Sequence, residues 1–153
     1  MTVNIRHLFA ALFAFTLLFS LSGCGEKEQS KTFSWSAPGT ELTLTYYYKD
    51  DKVLRQTAKN KIDYSAIGAS NKEEAMKVLG PISQKYQSVK GIKESVDYQQ
   101  TYAQETLDVD YSAVNFADLN ALQGTAFTGT VQDGISMQKS EALLKAKGFK
   151  EVQ

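Results

Sequence analysis

Polar and apolar positions divide the chain into segments of different character. After Arg6 and His7, an unbroken apolar run extends from Leu8 to Phe19 and gives way to small polar residues that end at Cys24. This is the plan of a signal peptide. The run is about a dozen residues, roughly 18 Å as a helix, against the about 20 residues needed to cross a bilayer core. Leu21, Ser22, Gly23 and Cys24 form a lipobox-like string, with an apolar residue and two small ones ahead of the cysteine that takes the lipid. Residues 1–23 are therefore expected to be a lipoprotein signal, and residues 24–31, which lack apolar side chains beyond Cys24, a flexible tether. A single globular domain is expected over residues 32–153.

Within that domain Phe33 and Trp35 alternate with Ser34 and Ser36 up to the Pro38–Gly39 turn, which predicts a hairpin. From Glu41 to Lys49, Leu42, Leu44, Tyr46 and Tyr48 share one face and Thr43, Thr45 and Tyr47 the other, the period of a strand. Val53 to Ala66 reads as a longer, more polar strand with a bulge or break in its middle. Ser70 and Glu73 have capping-box spacing, and Ala75, Val78, Leu79, Ile82, Tyr86 and Val89 recur at helical intervals. They predict a helix from about Asn71 to Ser88, kinked at Gly80–Pro81. Ile92 to Thr101 and Gln104 to Tyr111 make a second hairpin. Val114 to Leu122 reads as a short helix or turn, and Gln123 to Asp133 has no clear period. Ile135 to Lys147 reads as a helix ended by Gly148, with Phe149 folding back on it. The order of elements predicts an α+β domain: a mainly antiparallel sheet, with a long helix between strands and a C-terminal helix.

Composition narrows the chemistry. The 153 residues carry 17 basic and 17 acidic side chains, which suggests neither a nucleic-acid partner nor an anionic membrane face. The chain has one histidine, His7, and one cysteine, Cys24. With His7 removed and Cys24 acylated, the mature part has no Ser–His–Asp triad, no Cys–His pair and no ordinary zinc ligand set. Neither a glycine-rich phosphate loop nor a calcium loop is present. No cofactor, metal or catalytic residue is expected.

Carboxylates remain the first route to catalysis, and a Ser–Lys dyad the second. Asp108 and Asp110 project from one strand face about 7 Å apart at the backbone, a separation comparable to that of glycosidase carboxyl pairs. The same pattern arises on any wet strand face. Ser83 with Lys85, and Ser136 with Lys139, lack the surroundings of dyad enzymes and read as helix surface. Tyr47 is the candidate for ligand binding, because it lies on the threonine-rich face where an exposed ring can stack on sugar or protein. The plainer expectation is that a helix covers that face and makes Tyr47 a second core residue, since α+β sheets are often packed on both sides.

Nearly the whole chain resembles the YehR family of enterobacterial and related lipoproteins. The resemblance is carried by Phe19 to Gly25 around the lipobox, Gly39–Thr40–Glu41, Thr45–Tyr46, Tyr48–Lys49 and Asp51 to Leu54. Ile67–Gly68–Ala69, Thr101 to Glu105 and Gly148 to Val152 match as well. It implies an exported lipoprotein domain of unknown function and brings no site residues with it. Lipidation at Cys24 makes the membrane the first partner, and two or three acyl chains, as in similar lipoproteins, make that anchoring durable. The residue after Cys24 is Gly25, not the aspartate that such lipoproteins use for inner-membrane retention. The expected location is the periplasmic side of an outer membrane where one exists, and otherwise the outer face of the plasma membrane. The expected role is non-enzymatic, binding an envelope protein or polymer; a carboxylate-dependent hydrolase acting on envelope material is the alternative.

Overall fold

The computed structural model describes residues 27–122 and 134–152. The signal segment, Cys24 and the unassigned region 123–133 lie outside them. Strand β1 (Gln29–Ala37) turns at Pro38–Gly39 into β2 (Thr40–Lys49), which turns again into β3 (Lys52–Asp63). A 3-10 turn (Tyr64–Ile67) leads to helix α1 (Lys72–Gln87). Strands β4 (Ile92–Tyr98) and β5 (Tyr102–Asp110) form the second hairpin. Helix α2 (Phe116–Ala121), the short β6 (Ile135–Ser136), helix α3 (Met137–Ala146) and β7 (Lys150–Val152) complete the order. The seven strands make one antiparallel sheet in the order β4-β5-β3-β2-β1-β7, with β6 paired to β3. This is the α+β class that the pattern predicts.

Several local features differ from expectation. β1 begins at Gln29, so Gln29, Ser30 and Lys31 are strand and not tether. Gln29 accepts the Tyr48 hydroxyl at 3.0 Å and Lys31 pairs with Glu141 at 2.6 Å, so polar partners hold a segment that has no apolar side chain of its own. The irregularity in β3 lies near its start: Tyr47 faces Arg55 while Tyr48 faces Val53, leaving Leu54 as the extra residue of a bulge. The α1 cap is shifted by one residue, with Asn71 accepting from the Glu74 amide at 2.9 Å and Glu74 accepting from the Ser70 amide at 2.7 Å. The helix runs through Pro81 as one element. β6 and β7 are not legible from periodicity, being two and three residues long.

Cross-strand register places Phe33, Leu44, Ala58, Leu107 and Glu94 in one row across the sheet, so this face is the inner one. Phe33, Val53 and Val109 pack there with Leu119, Met137 and Leu144 from α2 and α3. Ala103 and Val96 pack with Ala75 and Leu79 of α1 in a second cluster on the same face. The three helices among the described residues therefore all cover one side of the sheet. Gly91 lets the start of β4 approach the chain after β5: its φ is +87°, and a Cβ there would lie 2.6 Å from the Val114 nitrogen. The β2–β3 turn is tied to α3 by Asp51, which accepts from Ser136 Oγ at 2.7 Å and from the Gln138 amide at 2.8 Å. These bonds hold the Asp51 carboxyl below the usual range, the Gln138 amide contributing most.

Candidate functional site

The opposite face of the sheet carries no helix among the described residues, and none of its side chains is buried. The register makes its composition a lattice. One row reads Thr32, Thr45, Thr57, Asp108 and Lys93 across five strands; the next reads Ser34, Thr43, Lys59, Thr106 and Ser95. Beyond the first lie Ser30, Tyr47, Arg55 and Asp110, and beyond the second Ser36, Glu41, Lys61, Gln104 and Asp97. β-Branched threonines suit an extended backbone and pack side by side on a pleated surface, so this face is a stable hydroxyl layer without apolar filling. Hydroxyls bond across strands at 2.8 Å between Thr32 and Thr45 and at 2.7 Å between Ser95 and Thr106.

The two central rows enclose an open depression of about 650 Å³, with Thr45, Tyr47, Thr57, Lys59, Lys93 and Thr106 on its walls. Tyr47 is half-buried at its edge, with the Arg55 guanidinium 5.3 Å from the ring centroid. Arg55 in turn grips Asp108 through Nε at 2.8 Å and a terminal nitrogen at 2.6 Å. The covered-face expectation for Tyr47 is thus not what the structure shows. The ring belongs to the wet face and is held by a cation, because α1 and α3 both cross to the side that carries Phe33.

Both carboxyls of the pair considered from sequence are shifted down and not up. The Arg55 hydrogen bonds hold the Asp108 carboxyl below the ordinary carboxylate range, and Ser112, through its hydroxyl at 2.6 Å and amide at 2.9 Å, does the same for Asp110. A general acid needs the opposite shift. Ser83 donates to Glu94 at 2.6 Å, and Ser136 caps α3 by accepting the Lys139 amide at 3.1 Å. Both hydroxyls are committed to structure.

Sequence reasoning missed a polar cluster on the inner face. Glu94 is buried between the sheet and α1, where one carboxylate oxygen accepts from Ser83 and, at 2.9 Å, from Gln87, while the other has no partner. Glu105, on the neighbouring strand, accepts from Asn60 at 2.6 Å. The signal was available, because Ile92, Glu94, Val96 and Ala103, Glu105, Leu107 each place one acid on an otherwise apolar period-two face. Burial raises the Glu105 carboxyl, the Asn60 bond opposes this, and nearby Glu94 adds to it. A carboxyl raised in the folded state costs stability at high pH, and the cost is relieved as pH falls through its folded value. Glu105→Gln keeps an oxygen for Asn60 and should raise the thermal midpoint by a few degrees near pH 7–8. The advantage should shrink toward zero as pH approaches the ordinary carboxylate value of about 4.3. Calorimetry across pH checks it; an advantage independent of pH would contradict the burial account.

Among the described residues no group of three or more His, Cys, Asp or Glu side chains could hold a metal ion, and no helix is long and apolar enough to cross a membrane.

Residues 29–150 match the model of the family described as protein of unknown function (DUF1307). The chain is 49% identical over 142 residues to the uncharacterized lipoprotein Lin0239 of Listeria innocua, covering 93% of each chain. It is 45% identical over 149 residues to the uncharacterized lipoprotein YehR of Escherichia coli, covering 97% of each. The NMR structure of E. coli YehR superposes with a TM-score of 0.73 at 44% identity, covering 84% of this chain and 93% of that one.

Proposed function

We propose, from the premise that this chain belongs to the DUF1307 family and has close relatives named as lipoproteins, that it is a non-enzymatic binding domain held at the membrane. Its uncovered sheet face is the binding surface and its ligand is a component of the envelope. The observation that supports this most is the hydroxyl-lined depression beside Tyr47, on a face that carries no helix among the described residues. Membrane attachment follows from the lipoprotein character of the family, and the lipid on Cys24 is the anchor. From Cys24 to Gln29 the chain reaches at most about 17 Å. The first hydroxyl row, starting at Thr32, lies about 10 Å further along β1. The face thus works close to the membrane, where a wall polymer or membrane-associated partner is at high local concentration. With Gly25 after the anchor, its place is the periplasmic side of the outer membrane in a cell that has one.

Tyr47→Ala tests this reading. Truncation removes a half-buried ring and a cation–π contact worth about 0.5–1 kcal/mol at an exposed site, so denaturant unfolding should show a loss of about 1 kcal/mol or less. Retention by isolated cell-wall material should fall clearly. A stability loss of about 3–5 kcal/mol, the cost of truncating a core aromatic, or undiminished retention would retire Tyr47 as a binding residue.

A further inference from the structure

The charges on the open face select among ligands. Arg55 and Asp108 neutralise one another at the depression's edge, and Lys61 pairs with Glu41 at 3.3 Å in the outermost row. Lys59 and Lys93, both exposed, stand in the two central rows, and neither forms an ion pair among the described residues. Asp108 faces Lys93 across the β4–β5 pair but is already bound at both oxygens by Arg55. The depression therefore carries two ammonium groups without an ion pair among the described residues, although Lys93 lies near enough to Asp108 to help Arg55 hold its carboxyl down. They are separated by one row along the strands and two strands across them, about 12 Å at the backbone, with Thr106 and the Arg55-bound Asp108 on the strand between them.

A lipid surface would need a broad patch of large apolar side chains, and around the depression this face offers only threonine methyls and the Tyr47 ring. A bound peptide needs apolar pockets or a free strand edge; β2, β3 and β5 under the depression are paired on both sides, and the edge strand β4, which carries Lys93, would seat a peptide beside the sheet and not in the depression. Nucleic acid binding draws on many more cations than two. What remains complementary is a chain rich in hydroxyls, to exchange hydrogen bonds with the threonine rows, that bears widely spaced negative charges.

Resting on the open-face reading above, we infer that the ligand is a polysaccharide with carboxylates on spaced sugar units, lying across the threonine rows so that Lys59 and Lys93 each meet one carboxylate. The sugar hydroxyls bond with Thr45, Thr57 and Thr106, and Tyr47 with its attendant Arg55 closes one end of the track.

The mature lipoprotein in detergent micelles tests this by calorimetric titration and amide chemical shifts. The probes are a hyaluronan hexasaccharide, whose carboxylates fall on alternate sugars, and the neutral N-acetylglucosamine hexamer. Hyaluronan should bind, shift the amides of Thr57 and Thr106, and weaken with added salt. Lys59→Gln and Lys93→Gln should each weaken it by roughly two- to fivefold, as loss of an exposed ion pair does, without moving the thermal midpoint. Equal affinity for the neutral hexamer with shifts on the same face, or unchanged affinity in the lysine variants, overturns the anionic-glycan inference and leaves the open-face reading standing. Absence of hyaluronan binding overturns the inference too. Binding that shifts only residues of α1 or α3 overturns both.

Discussion

Cys24→Ala protein is expected in the soluble fraction, with no fatty-acid label, while its domain folds as before. Nothing between Cys24 and the start of β1 at Gln29 offers apolar area comparable to an acyl chain, which contributes about 0.8 kcal/mol per buried methylene. The apolar run Leu8 to Phe19 would still direct export, but without the thiol there is no nucleophile for the lipid. Metabolic labelling with a fatty acid, followed by fractionation, reads the result directly. Label in the alanine variant, or none in the wild type, would remove the anchor from this account.

The largest loss of stability is expected from Phe33→Ala. Phe33 has no exposed surface, packs edge-on against Tyr46 with ring centroids 6.4 Å apart, and sits where β1 meets the helices. Truncating such an aromatic costs about 3–5 kcal/mol, against a total of about 5–15 kcal/mol for a domain of this kind. The midpoint of denaturant unfolding should shift accordingly with little change in its slope. Tyr46, its neighbour, is buried enough that its phenol is pushed up to about 12, a hydrogen bond with Ser140 pulling the other way. A loss under about 1 kcal/mol for Phe33→Ala would mean that the ring is not in the core described here, since surface changes stay within about 0.5 kcal/mol.

Strand alternation was readable wherever one face was apolar and the other wet over many residues. Leu42 to Tyr48 in β2 shows this best, and the Pro38–Gly39 turn fixed where the first hairpin reverses. The α1 stripe was readable for the same reason at helical period, although its cap moved from Ser70 to Asn71, because both residues can accept an amide and each has a glutamate three residues on. Lys150–Val152 pairs with β1 only after Gly148, at φ +88°, reverses the chain, a tertiary event without a local pattern. Gln29 to Lys31 looked like tether because its partners, Tyr48 and Glu141, are distant in sequence.

The site was half legible. Period two put Tyr47 with Thr43 and Thr45, but whether a helix covers that face depends on where all three helices go. That is fixed by long-range packing of Leu119, Met137 and Leu144. The threonine rows themselves need strand order, and in particular that β5 lies between β3 and β4, before Lys59 and Lys93 fall on one depression.

The most direct test of the binding face is an amide chemical-shift map of the mature protein on addition of solubilised cell-wall fragments. The perturbed residues should cluster at Thr43, Thr45, Tyr47, Thr57 and Thr106. Perturbations confined to the helical side of the sheet, for example around the exposed Met76, Val78 and Ile82 of α1, would contradict it.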